Sequence, residues 1–422
     1  CGATQTGFGR TGTVDWCTTA KTSPFTATSG SGFFVNTTSG SVTVTLPASP
    51  SAGDIVSISD YANTFQTNSV TIGRNSSKIN GACTDASLNT EGEAVTLVYV
   101  DGTRGWKQVN DATLNVTGTP AYVIATGGTE TTCGNFKIHT FTADGPFNIT
   151  NAGQPSGSNK IEYMVVAGGG GGGSAAGGGG GGAGGYRESS GVTAGCYSVS
   201  PLGACVSALT ASVATFSITV GAGGTAGSGS KGGSGATSTF STISSAGGGG
   251  GSGNCQDAVA GGSGGGGGFR PPNSPASGAA GNTPPVSPPQ GNPGGDTNPS
   301  TSNPDRGGGG GGATVAGTTP SGNPAGPGGA GATSSINTTP TIRAGGGGGG
   351  KDEDSPNGGT SGDGGPGGGG QGSSSDAASL RPGTAGSVNT GGGGGGGGAG
   401  PGAGPDGYAG GSGIVILRYK FQ

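Results

Sequence analysis

Seven uninterrupted glycine runs, at 168–173, 177–182, 247–251, 264–268, 307–312, 345–350 and 391–398, decide what this chain can fold into. No run carries a side chain, so none can contribute to an ordinary apolar core. Gly/Ser linkers stay flexible because ordering glycine costs the most backbone entropy. Linkers do not need several separated runs, nor β-branched residues between them such as Phe216-Ser217-Ile218-Thr219-Val220, Ala313-Thr314-Val315 and Thr341-Ile342-Arg343. A collagen triple helix requires glycine at every third position, whereas here glycine is consecutive and proline is clustered elsewhere.

The remaining reading is a bundle of polyglycine-II helices. Such a helix has three residues per turn and no internal hydrogen bonds, so its N–H and C=O groups point outward and must be satisfied by neighbours. A six-residue run gives about two turns and about 19 Å of rod. Residues Gly168, Gly177, Gly247, Gly264, Gly307, Gly345 and Gly391, which open the seven runs, stand for this expected structural core. Ordering costs up to about 2 kcal/mol per glycine against about 1 kcal/mol per net hydrogen bond, so the ends must be clamped.

The clamps are legible as strands. Period-two alternation marks Val42-Thr43-Val44-Thr45-Leu46, Ile55-Val56-Ser57-Ile58 and Ala94-Val95-Thr96-Leu97-Val98-Tyr99-Val100, separated by turn signals. Such spacing predicts an antiparallel β sandwich or jelly roll over 25–118, after an N-terminal segment 1–24. Ile161-Glu162-Tyr163-Met164-Val165-Val166 runs directly into glycine, and Ile414-Val415-Ile416-Leu417-Arg418-Tyr419-Lys420 is entered directly from glycine. Pairing these two strands makes one β base, 119–167 with 412–422, into which 168–411 is inserted. The expected fold class is therefore all-β, with almost no α-helix.

Composition removes most chemistry. Charged residues are 9% of the chain and the net charge is −4, which gives no basic footprint for nucleic acid. His139 is the only histidine, and it sits in an alternating strand rather than beside a nucleophile-elbow motif. The seven cysteines (1, 17, 83, 133, 196, 205, 255) show no zinc-ligand spacing, so no metal and no cofactor is expected. Cys196 with Cys205, or Cys1 with Cys17, could each close a short loop. Gly345 to Lys351 mimics part of a phosphate-binding loop, but Asp352-Glu353-Asp354 stand where Ser or Thr and a helix are required. A Ca²⁺ contact there lacks the calcium-loop spacing. No catalytic residue is assigned and the chain is read as a non-enzyme. The N-terminal Cys1 leaves a bacterial lipoprotein as an alternative.

The glycine runs, the junction Tyr163-Met164-Val165-Val166-Ala167-Gly168 and the closing Ser412-Gly413-Ile414-Val415-Ile416 resemble the tip adhesins of T-even-type phage long tail fibres. Residues 25–110, with Thr43-Val44-Thr45-Leu46-Pro47 and Leu97-Val98-Tyr99-Val100-Asp101-Gly102, look like β modules of marine, cyanophage-type myovirus structural proteins. The resemblance implies a virion-surface protein, a homo-oligomer or a subunit bound to an oligomeric fibre, with other virion subunits and a host outer-membrane protein or surface glycan as partners. It also implies that recognition resides in the segments between glycine helices. Aromatic and arginine side chains there are the contact candidates: Tyr186, Arg187, Tyr197, Phe269, Arg270, Arg306 and Tyr408. The alternatives are a bacterial extracellular adhesin or filament subunit, and a glycan-degrading fibre.

Overall fold

The computed structural model describes residues 14–109, 121–155, 157–174, 177–191, 197–203, 207–253, 256–268, 276–297, 306–322, 324–351, 360–374, 381–398 and 406–422. The chain divides into two compact units, Cys1–Ala121 and Tyr122–Gln422. Among the described residues all regular elements are strands, so the fold is all-β.

The first unit contains β1 (Asp15–Lys21), β2 (Phe25–Thr26), β3 (Ser31–Val35), β4 (Val42–Thr45), β5 (Ile55–Asp60), β6 (Val70–Gly73), β7 (Ala86–Leu88), β8 (Ala94–Asp101) and β9 (Gly105–Gln108). They form two sheets, ordered β1-β3-β5-β8-β9 and β2-β4-β6-β7. The antiparallel expectation is corrected here: β1, β3 and β5 pair in parallel, as do β2, β4 and β6. The cause is the order of the strands. Up to β6 they alternate between the sheets, so each returns to its own sheet after crossing the other and arrives in the same direction. Parallel strands need such a crossover, and here a strand of the facing sheet supplies it. Among the described strands of this unit, β6–β7, β5–β8 and β8–β9 are the antiparallel pairs. Val42, Val44, Val56, Ile58, Val70, Ile72, Leu97 and Trp106 fill the space between the layers.

The second unit holds β10 (Val123–Thr126), β11 (Thr129–Cys133), β12 (Phe136–Phe141), β13 (Gly145–Ala152), β14 (Lys160–Val166), β15 (Tyr186–Glu188), β16 (Leu209–Thr210), β17 (Ala214–Ile218), β18 (Ser238–Phe240), β19 (Ile243–Ser245), β20 (Ala332–Ser334), β21 (Thr341–Arg343) and β22 (Ile414–Lys420). Its main sheet runs β11-β12-β22-β14-β15, with β16 also on β14. β14 and β22, separated by the whole glycine-rich insertion, are antiparallel neighbours from Ile161↔Tyr419 to Val166↔Ile414. Both strands read as nearly continuous apolar runs because both faces are covered. Ile161, Tyr163, Val165, Val415, Leu417 and Tyr419 join the core shared with β10-β13-β17, and Met164, Val166, Ile414 and Ile416 join one lined by Ala183, Tyr186, Ala313, Ala332, Ile336 and Ala344.

Beyond the base the glycines form the expected polyglycine-II bundle, and its hydrogen bonds show the threefold helical period directly. Along one pass, Gly178, Gly181 and Gly184 donate to Gly397, Gly394 and Gly391, whereas Gly179, Gly182 and Gly185 donate to Ser252, Gly249 and Ala246. Gly180 and Ala183 donate to Gly308 and Gly311. Every third residue thus faces the same neighbour, at N–O distances of 2.8–3.0 Å. Descending partner numbers mark antiparallel passes and ascending numbers a parallel one. The carbonyls of this pass accept from three further neighbours: Gly173, Gly170 and Ala167 on one, Gly266 and Ser263 on another, Gly350 and Gly347 on the third. Donors to three passes and acceptors from three others give hexagonal packing, with the buried backbone paired through neighbours rather than within the helix.

Glycine is required by that spacing. A Cβ on Gly168, Gly247, Gly264, Gly307 or Gly345 would overlap a carbonyl oxygen of the adjoining pass at under 3.0 Å. Gly177 and Gly391 have φ of 74° and 69°, where the chain turns between passes. Peripheral passes follow a looser rule. Gly221, Gly224 and Gly227 are buried at every third position while Ala222, Thr225 and Ala226 between them are exposed, and Gly362 and Gly365 flank an exposed Asp363 in the same way.

Candidate recognition surface

The base gives the bundle a direction. Gly168 leaves β14 at the near end, and Ser174 N donates to Ser230 O (2.9 Å) at the far one. Passes can therefore be placed by register: Gly391, Ala246 and Ala236 lie near the base, while Gly397, Ser252 and Ser230 lie far from it. By the same register, the described residues flanking 298–305, 352–359, 375–380 and 399–405 are at the far end. Isolated bridges link four of them into one row, Arg306↔Lys351↔Ser374↔Arg381. Arg306 and Lys351 are buried, while Arg381 is half-buried and pairs with exposed Asp363 (Nη2–Oδ1 3.1 Å). Lys231 and Gln256 are exposed at the same end, on passes beside 168–174 and 247–252, with Lys231 N donating to Gln256 Oε1 at 3.0 Å.

The contact candidates read from sequence separate into different places. Tyr186 and Arg187 lie on β15, and Tyr197 is close behind, so all three belong to the near end beside the base sheet. Tyr186 is 1% exposed, and its hydroxyl donates to Glu188 Oε2 (2.8 Å). Burial takes Tyr186 out of direct contact with a partner, and it does the same for the Arg306 side chain at 5% exposure. Arg187 is half-buried opposite Val165. The Tyr197 ring lies under the Arg418 guanidinium (5.4 Å to the centroid), and burial raises its phenol above the ordinary tyrosine range. Tyr408 packs along the bundle flank, where its hydroxyl accepts from Gly383 N (3.1 Å). Phe269, Arg270, Cys196 and Cys205 lie outside the described residues. Cys17 is disulfide-bonded, and Cys83 and Cys133 are free. Among its contact candidates sequence reading did not single out Lys351, which is buried at the far end.

Among the described residues no group of three or more His, Cys, Asp or Glu is placed to hold a metal ion. The titratable groups at the near end are built into the fold instead. His139 is fully buried; its Nδ1 lies 2.7 Å from Gly127 O and its Nε2 3.0 Å from the Tyr419 hydroxyl. Desolvation lowers its pKa below 6.5, against the opposing pull of the Gly127 carbonyl and Glu130. Burial pushes Tyr419 up to about 12. The folded state thus binds fewer protons than the unfolded one just below pH 6.5, so the stability from neutral His139 is complete above that pH and lost as pH falls toward the folded-state value. His139→Gln is expected to flatten the decline in melting temperature below about pH 6.5 relative to the unsubstituted chain, measured by thermal scans across that range.

The laterally bonded glycine bundle places described turn residues from distant parts of the sequence at the end remote from the β base. The chain belongs to the glycine-rich domain family, whose model matches residues 142–420. That span takes in the insertion together with β13, β14 and β22 of the base, and begins after β10, β11 and β12. No characterised protein matches the chain at a significant level.

Proposed function

We propose that this chain is a virion fibre or tail-tip protein of a tailed phage, in which the bundle holds host-contacting segments at its far end. The observation that carries the reading is the hydrogen-bonded register, which brings turns from widely separated parts of the sequence, such as Ser230, Gln256, Lys351 and Arg381, to one end of a stiff scaffold. Recognition residues gain from a scaffold that pre-organises them, because less ordering entropy is lost on binding. The chemistry is binding rather than turnover. Host outer-membrane protein and surface glycan are both compatible partners, and oligomeric fibre subunits are the support.

Adsorption of the purified full chain to a panel of host bacteria tests this. Reversing charge at the far end with Lys231→Glu and Gln256→Ala together is expected to weaken cell binding at least about tenfold. Thr333→Ala with Ile342→Ser, exposed at the near end, is expected to leave it within about twofold. Equal losses from both pairs would sink the far-end assignment. Lipid on Cys1 by mass spectrometry, with no co-sedimentation with tailed particles, would move the chain to the bacterial cell-surface adhesin class.

A further inference from the structure

We propose that the outer face of the five-stranded sheet in the first unit carries a saccharide-stacking platform centred on Trp16. The parallel register sets Trp16 against Gly32, and Gly32 against Ser57. Alternation along β3 turns Phe33 and Val35 into the core, which leaves Gly32 and Phe34 on the opposite face. Gly32 has no side chain to occupy its place on that face, and the indole fills it. A Cβ on Gly32 would come within 2.7 Å of Trp16 Cδ2 and of Val14 Cγ2. One side of the ring is therefore pressed onto backbone, while the residue keeps 40% of its surface open. Phe34 lies against it at 4.9 Å between centroids, tilted by 31°, and extends the aromatic surface.

The neighbouring positions supply hydroxyls rather than charge. Half-buried Thr96 lies on the same transverse row as Trp16 and Gly32, its hydroxyl held by buried Ser57 Oγ at 2.8 Å, and half-buried Ser59 follows beside Phe34. An immobilised indole with a free face attracts polarised C–H groups through its negative π surface, and nearby hydroxyls donate to and accept from ligand oxygens. A pyranose ring offers both groups, C–H bonds on its face and hydroxyls at its edge. The absence of a charged partner on this row selects a neutral saccharide. An exposed tryptophan serving only as core would not need an open face, nor a glycine beneath it.

The sequence makes the test direct. There are two tryptophans, and Trp106 is fully buried, so acrylamide-accessible fluorescence of the intact chain reports on Trp16. Pure cello-, malto- and chito-oligosaccharides are titrated in turn. At least one is expected to protect the accessible fraction saturably, by about twofold or more. By saturation-transfer NMR, Trp16→Tyr is expected to retain that sugar, Phe34→Ala to weaken it several-fold and Trp16→Ala to lose it, with Trp106 emission confirming the folded module in each variant. Two results would overturn the proposal. One is no protection by any of the three series; the other is protection that rises with protein concentration in the absence of sugar, which would make this face a contact between copies.

Discussion

Gly181→Val is expected to abolish cooperative folding of the second unit, a loss far beyond that of a typical surface substitution. Gly181 lies in a pass surrounded by six others. Its N–H donates to Gly394 O (2.8 Å) and its carbonyl accepts from Gly347 N (2.8 Å). A Cβ there would overlap Gly170 O and the backbone of Gly171, which cannot rotate aside as a side-chain tip could. Separating the passes enough to admit valine breaks both bonds and the neighbouring Gly170 N to Gly182 O bond. Each bond lost with its buried groups left unpaired costs about 1–3 kcal/mol, so three lost bonds remove about 3–9 kcal/mol, a large share of a typical domain's stability. Gly145→Ala serves as the control, since its added Cβ would meet only Phe141 Cδ1, at 4.0 Å. Hydrogen exchange across the passes is the readout. Glycine amides should exchange slowly in the parent and in the control, and rapidly in Gly181→Val; fast exchange in the parent would mean the runs are linkers.

This sensitivity has a reason in the unusual core. In an apolar core a cavity or a misplaced methylene can be shared among deformable side chains. In the bundle the packing elements are backbones whose separation is fixed by hydrogen-bond length. The entropy of ordering glycine is high, so the bundle has little reserve, and both of its ends connect to adjacent strands of one sheet, β14 and β22. The serine hydroxyls at the junction reinforce this. Ser238 Oγ donates to Val166 O and Ser245 Oγ to Val165 O, both at 2.8 Å, tying the β18–β19 hairpin to the strand from which the first pass leaves.

The parts of this architecture legible in sequence are those where one residue type decides. Repeated pure glycine runs favour laterally packed passes over linkers, and the apolar runs 161–166 and 414–417 at the two ends of the insertion read as paired strands of one base. The outer passes were hidden because one side faces solvent and tolerates Ala, Thr, Asp or Pro, so a run of glycine dissolves into glycine at every third position, as at 221, 224 and 227. Parallel pairing in the first unit was hidden for a different reason. Alternation reports which residues face inward, but it is the same whether the neighbouring strand runs up or down. The recognition candidates were chosen by residue type alone, and neither burial nor the end of the bundle at which a turn emerges can be read from type. Tyr186 illustrates the failure: an aromatic between glycine runs looks like an exposed anchor until its hydroxyl is found on a buried carboxylate.

That carboxylate is where the second large effect is expected. Glu188 is 1% exposed and accepts from the Tyr186 hydroxyl (2.8 Å), Ser200 N (3.1 Å) and the Ser334 hydroxyl. The three donors come from β15 itself, from the loop after it and from β20, more than a hundred residues away in sequence. Burial raises the Glu188 pKa while these donors oppose the rise, and burial lowers that of Arg343, whose charge is favoured by Glu188. Glu188→Ala leaves two hydroxyls and one amide unpaired in the interior, at about 1–3 kcal/mol each, and leaves buried Arg343 without the nearby negative charge. The expected loss is about 3–9 kcal/mol by chemical denaturation. Ser334→Ala, which removes one donor from a carboxylate that keeps two, is expected to cost about 1–2 kcal/mol. The double variant should be less unstable than the sum of the single changes, because removing Glu188 orphans the Ser334 hydroxyl that the second change deletes. Strict additivity would show that the Ser334 hydroxyl does not act through Glu188, and the β20–β21 hairpin would then have to be held to the base by its other contacts, such as the Arg418 guanidinium on Ile336 O (3.3 Å).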